Sequence, residues 1–236
     1  KIMLSIITIG KDSENNVQQT IDSISKNIKK MPGFDIELIL VLRNINLDEI
    51  LIPLDIKVKK IINKDKSIYH AMNIGWDAAS GNHLWFLNSG DTAVFAESFI
   101  SKLVKFPKSA HAFSVRLIGE VYNFKSNPYK KKLHSGFIFP NCDLRYDESG
   151  RLDADSLVIS EVLKRFEVQY QNDIIANFLL DGVSNQISLE QIPSRFVRGF
   201  WTTISLFLKW SFYSILPRKT FWRIWALKNS HKLLPK

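Results

Sequence analysis

The chain has 236 residues, enough for one large domain or one domain with an appendage. Its 45% hydrophobic and 23% charged content excludes disorder over most of the length. The single cysteine, Cys142, excludes an internal disulfide and fits a reducing compartment, and with five scattered histidines it offers no zinc-type ligand cluster. The formal charge of +9 is unevenly placed: beyond Glu190 lie nine Lys and Arg and no carboxylate, whereas the remaining 23 basic residues match the 23 acidic ones.

In chain order, Lys1 runs directly into Leu4–Ile9, a short β-branched stretch that reads as a buried strand and not as a signal peptide. Val17, Ile21, Ile24 and Ile28 then form one stripe of a helix. Strand-like runs follow at 36–42 and 57–62, and a second helix is marked by Ile68, Ala71, Met72, Gly75 and Ala79. A fourth apolar run covers Leu84–Leu87, and further helices are expected over 98–105 and 154–165. Strands alternating with helices imply an α/β fold with a parallel sheet and helices packed on it. Ligands are then expected outside the carboxyl ends of the strands.

Asn88-Ser89-Gly90-Asp91 directly follows the fourth apolar run. A carboxylate there points into the ligand crevice and, with donor phosphates and water, could hold a hard cation such as Mg²⁺ or Mn²⁺. The same four residues also suit a plain turn. Asp65 lies just before the second helix, where it could cap free N–H groups. Asn73, one turn beyond Tyr69, reads on its own as a solvated or cap-bonding amide. Downstream, Asp147, Glu148, Asp153 and Asp155 form an acidic run, any member of which could cap a helix.

The stretch NKDKSIYHAMNIGWDAASGNHLWFLNSGD resembles, without a gap from Asp65 to Asp91, the central block of family 2 glycosyltransferases of the exopolysaccharide and colanic-acid type. Weaker similarity continues through Leu133–Pro140, Arg145-Tyr146-Asp147, Ala154-Asp155 and Gly182-Val183-Ser184. The resemblance implies a GT-A fold over residues 1–190: a mostly parallel central sheet flanked by helices, with a nucleotide-binding half followed by an acceptor half. It implies an inverting hexosyltransferase that takes sugar from a nucleotide-diphosphate donor, UDP- or GDP-linked, in surface polysaccharide synthesis. Carried onto this chain, it makes Asp91 the ligand of Mg²⁺ or Mn²⁺ and Asp155 the catalytic base, favoured over Asp153. It makes Thr8, Asp65, Tyr69, Asn73, Asn88, Ser89 and Gly90 donor contacts, and it puts His134 on the acceptor side. The chain departs from the family at the end of the second strand, where Leu42-Arg43-Asn44 carries no carboxylate; Ser67, His70, Ser135 and Asp181 also differ. A degenerate homologue that binds a nucleotide or partner without turnover is the alternative these departures leave.

Residues 191–236 form a second compositional unit, with Phe196, Phe200, Trp201, Phe207, Trp210, Phe212, Tyr213, Phe221, Trp222 and Trp225 among the cations. No uncharged run there reaches the roughly 20 residues a bilayer crossing needs. Interspersed cations and aromatics suggest amphipathic helices lying in a membrane interface from about residue 194, which suits a lipid-linked glycan acceptor and a peripheral place on the cytoplasmic face of the plasma membrane. A packed helical subdomain or oligomer contact is the competing reading. Nucleic acid is not expected as a partner, because the apolar content exceeds that of a solvated binding stripe.

Overall fold

The computed structural model describes residues 2–29, 33–54, 56–64, 67–95, 98–119, 122–149, 154–180, 220, 224, 228 and 231–234. They divide into two compact units, one of residues 1–116 and 126–178, the other of 117–125 and 179–236.

The first unit begins with β1 (Met3–Lys11), α1 (Glu14–Ile28), β2 (Asp35–Arg43), β3 (Lys57–Ile62), α2 (Ile68–Asp77) and β4 (His83–Phe86). All pairings within this part are parallel: β1 lies between β2 and β4, with Leu4 opposite Ile36 and His83, and β3 adds outside β2. Leu4, Ile6, Ile7 and the run Leu38–Leu42 are at most 1% exposed, so the central strands are covered on both faces. That is why they read as unbroken apolar runs. Ser13 caps α1 and Ser67 caps α2, each hydroxyl accepting an N–H at 3.3 Å, from Asn16 and His70 respectively. The cap of α2 is therefore Ser67; Asp65 lies outside the described residues.

The later elements are β5 (Thr92–Ala93), α3 (Ser98–Lys105), β6 (Ala110–Ile118), β7 (Asn123–Lys125), β8 (Phe137–Pro140), α4 (Ala154–Arg165), β9 (Val168–Leu179) and β10 (Lys232–Leu234). Here the pairing turns antiparallel: β8 runs between β4 and β6, and β9 pairs with β5. Strands 137–140 and 168–179 thus extend the parallel sheet in the opposite sense, a change that helix–strand alternation alone does not reveal. In the second unit β10 pairs antiparallel with β7, Lys232 opposite Lys125. Of the basic tail, Thr220, Ile224 and Lys228 have helical backbone; the strand at 232–234 was not legible in its composition, and most of 191–236 lies outside the described residues. No helix among the described residues is long and apolar enough to cross a membrane.

Helix α2 packs closely on the sheet. A Cβ at Gly75 would come within 2.4 Å of Ile7 Cγ2, and one at Gly81 within 2.5 Å of Ser5 Oγ and 2.7 Å of the Met3 carbonyl. The Ala79-Ser80-Gly81 sequence is therefore a packing requirement of the return from α2 to β4. Below it, the fully buried Glu37 carboxylate accepts from Ser5 Oγ at 2.6 Å, Ser80 N at 2.5 Å and Gly81 N at 3.1 Å, and pairs with Lys59 at 3.2 Å. Burial opposes its charge, but the bonds from Ser5, Ser80 and Lys59 outweigh it and hold its pKa below the usual value.

Two further buried groups set a pH limit. His83 and His111 are at most 1% exposed, with ring centroids 6.1 Å apart. Burial lowers both pKa values, that of His111 from 6.5 to about 4 despite the Phe106 carbonyl it meets. The unfolded chain binds these protons from pH 6.5 downward and the folded chain does not, so stability is present above that pH and falls as pH drops toward 4. His111 alone accounts for a loss on the order of 3 kcal/mol over that window. The melting temperature is expected to fall between pH 7 and 4.5, and His111→Phe to flatten the fall. A wild-type melting temperature unchanged over that range would contradict this.

Candidate active site

The strand run of β4 continues past Phe86: Leu87 N donates to the Ile7 carbonyl at 3.0 Å and Ser89 N to the Ile9 carbonyl at 3.1 Å. Gly90 then turns with φ of +92°, a backbone that glycine adopts without strain, and Asp91 N closes on the Asn88 carbonyl at 3.1 Å. A polar stripe of α1 grips this turn. Gly90 N donates to the Asn16 carbonyl at 3.1 Å and to Thr20 Oγ1 at 3.0 Å, and Thr20 donates onward to the Asp91 carbonyl at 2.8 Å. Ser23 and Asn27 hold both backbone groups of Ala93, at 2.9 and 3.0 Å. The apolar stripe of α1 was legible in sequence; this second, hydrogen-bonding stripe was not.

Asp91 is thereby fixed at the carboxyl end of β4, 6% exposed. Asn88 Oδ1 in the same turn is buried and, among the described residues, accepts no hydrogen bond. Thr8 is fully buried and donates to the Leu87 carbonyl at 2.8 Å, so it braces the strand tip from behind. Among the described residues there is no group of three or more His, Cys, Asp or Glu placed to hold a metal. A buried carboxylate in the same turn as a buried amide oxygen would suit a hard cation that takes its other oxygens from a bound diphosphate and water.

A second cluster forms at the same end of the sheet, where Phe86 closes β4. His134 stacks on Phe86 with centroids 5.1 Å apart, and its Nε2 lies 2.5 Å from the Tyr146 hydroxyl. Tyr146 stacks on Tyr69 at 5.7 Å and meets Phe86 edge-on at 5.3 Å. Asp155, in the first turn of α4, is close enough for its charge to act on both His134 and Tyr146. Its Oδ1 accepts from Ser156 N at 2.8 Å.

The loop carrying Tyr146 is stapled to α2. Asn73 Oδ1 accepts Tyr146 N at 2.8 Å, and Asn73 Nδ2 donates to the Tyr146 carbonyl at 3.0 Å and to Glu148 at 2.6 Å. His70 Nδ1 lies 2.9 Å from Glu148, and Arg145 grips Asp77 through Nε and Nη2 at 2.9 and 2.5 Å while covering the Trp76 ring. Asn73 is thus neither solvated nor a helix cap: it is 8% exposed and ties two distant segments together. The site residues Tyr69, Asn73, His134 and Asp155 come together in this cluster, and Asn88, Ser89, Gly90 and Asp91 share the neighbouring turn. Asp65 and Asp153 lie outside the described residues.

The end of the second strand also has a carboxylate neighbour. Asp12, at the tip of β1, and Asn44, at the tip of β2, both have positive φ, 55° and 52°, and Asn44 Nδ2 donates to Asp12 Oδ1 at 2.8 Å. Asn44 and Lys11 hold the Asp12 carboxyl below its usual pKa. The carboxylate missing from β2 is therefore matched by one on the adjacent strand. By contrast, a hollow of about 590 Å³ lined by Ile2, Phe34, Val104 and Pro107 opens at the amino ends of β1 and β2, away from both clusters.

This architecture, a parallel β3–β2–β1–β4 core extended by antiparallel strands with an aspartate turn at the end of β4, is a GT-A-like fold. Among solved structures it is similar to the glycosyltransferase S. aureus TarS: to residues 1–349 in complex with UDP, TM-score 0.61 at 12% identity over 75% of this chain and 60% of that one. The complex with UDP-GlcNAc gives 0.58 at 11% identity over 75% and 58%, and the crystal structure named simply as S. aureus TarS gives 0.59 at 12% identity over 93% and 45%. The chain thus spans about 60% of the TarS fragment. No known family profile matches the sequence, and no curated protein matches it.

Proposed function

We propose that the chain is an inverting, metal-dependent glycosyltransferase that moves a sugar from a UDP-linked donor to a glycan acceptor. The observation that carries this reading is the placement of the Asp91 turn and the His134–Tyr146–Asp155 cluster at one end of a GT-A-like sheet. The similarity to TarS, whose structures hold UDP and UDP-GlcNAc, supports the uridine donor over a guanosine one.

In this mechanism Asp91, with Asn88 beside it, would hold Mg²⁺ or Mn²⁺ against the donor diphosphate. Such an ion, when bound, offsets the charge on the departing nucleoside diphosphate. Asp155 accepts the proton of the acceptor hydroxyl as that oxygen bonds to the anomeric carbon. The bond from that carbon to the diphosphate oxygen breaks with its electron pair on the leaving group. A single displacement of this kind inverts the anomeric centre. Burial lowers the pKa of His134 to about 4 against the opposing effect of Asp155, so its ring is neutral at pH 7. Incubation with UDP-GlcNAc and Mn²⁺ should release UDP. Binding of the nucleotide without turnover on water or any glycan would favour the degenerate homologue, for which the bare tip of β2 is the motive; Asp12 beside Asn44 weighs against it.

We further propose a lipid-linked acceptor of surface polysaccharide synthesis and a peripheral position on the cytoplasmic membrane face, reached through 194–236. The nine cations and ten aromatics after Glu190 motivate this. Because Lys232–Leu234 form a strand with β7, charge reversal is a cleaner test than truncation. Lys209→Glu, Arg218→Glu and Lys219→Glu together should release the protein from phosphatidylglycerol vesicles, with each lost cation weakening attraction by about 1 kcal/mol. Unchanged co-sedimentation would contradict the membrane assignment.

A further inference from the structure

Tyr146 is 3% exposed, and its hydroxyl lies 2.5 Å from His134 Nε2. Its ring is held from several sides: Asn73 binds both its backbone groups, Tyr69 stacks on one face, and Phe86 and Trp76 meet it edge-on. Burial and the nearby Asp155 raise its pKa, so the phenol keeps its proton. A buried O–H needs an acceptor, and Nε2 is within reach. His134 is neutral for the reason given above and carries one N–H. With Nε2 accepting, that hydrogen sits on Nδ1, for which no described residue provides a hydrogen bond.

We infer that Tyr146 is a positioning residue whose hydroxyl locks His134 in the Nδ1–H tautomer, so that His134 offers a fixed N–H donor to the acceptor oxygen beside Asp155. The donor holds the oxygen in line with the anomeric carbon and transfers no proton; Asp155 takes the proton, as in the displacement described above. The kinetic consequence rests on the reading of Asp155 as base, whereas the tautomer does not.

The test uses the full chain with ¹⁵N-labelled histidine. Long-range ¹H–¹⁵N correlation at pH 7 should show His134, identified by its loss in His134→Asn, with its hydrogen on Nδ1. In Tyr146→Phe, which keeps every ring contact, it should move to Nε2–H or a mixture. UDP-GlcNAc hydrolysis, with water as the acceptor, should fall about tenfold in kcat for Tyr146→Phe and His134→Ala, with KM for the donor unchanged. His134→Asn, whose amide nitrogen can occupy the Nδ1 position, should retain more activity than His134→Gln. An Nε2–H tautomer in the wild type, no change of tautomer in Tyr146→Phe, or better rescue by Gln than Asn would overturn the inference. Absence of wild-type hydrolysis would instead count against the enzyme reading, and the spectrum would still decide the tautomer. Should Tyr146→Phe not fold, the wild-type tautomer decides by itself.

Discussion

Asp91→Ala is expected to lower kcat/KM for UDP-GlcNAc on the order of a thousandfold. In the proposed mechanism, loss of the carboxylate would remove the protein's hold on the cation that offsets charge on the leaving diphosphate. The fold should survive, because α1 holds this turn by backbone groups: Thr20 bonds the Asp91 carbonyl and Gly90 N, and Asp91 N bonds Asn88. None of these needs the side chain of residue 91. The stabilisation that UDP with Mn²⁺ gives the wild type should disappear in the variant. A variant that kept the wild-type rate would remove Asp91 from the mechanism.

Asp155→Asn should act differently. The amide oxygen can still accept Ser156 N, so the start of α4 should be preserved. The variant cannot accept the acceptor proton, and kcat is expected to fall by about 10²- to 10⁴-fold with donor affinity retained. Steady-state kinetics with saturating donor would measure the loss. An unchanged kcat, or a change confined to donor KM, would reassign Asp155 to a structural or donor-binding role.

The two halves of the fold were unequally legible. Strands β1 to β4 are short apolar runs between helices with clear periodicity, and buried parallel strands leave that record in sequence. Strand β9 does not: Gln169, Gln171, Asn172 and Asp173 interrupt it, and most of it is half-buried. Strand β5 has only two residues and exists because Ser23 and Asn27 of α1 hold Ala93 in place. Strand β10 lies in a segment whose charge and aromatic content dominate its pattern. At the site, Asp91 was legible because a carboxylate in a glycine turn after a buried strand has a fixed place in an α/β sheet. Asn73 was not, since its partners Tyr146 and Glu148 are 73 and 75 residues away and a helix pattern carries no sign of them. The Asp12–Asn44 contact was hidden for another reason: it depends on two left-handed residues on adjacent strands.

The proposed mechanism rests on a divalent cation held at Asp91. Crystals of the full chain soaked with MnCl₂ and UDP allow the ion to be placed by its anomalous scattering. A manganese peak at coordination distance from both the Asp91 carboxylate and the diphosphate is the expected result. UDP bound with no ion at Asp91, or an ion held elsewhere on the sheet, would contradict it.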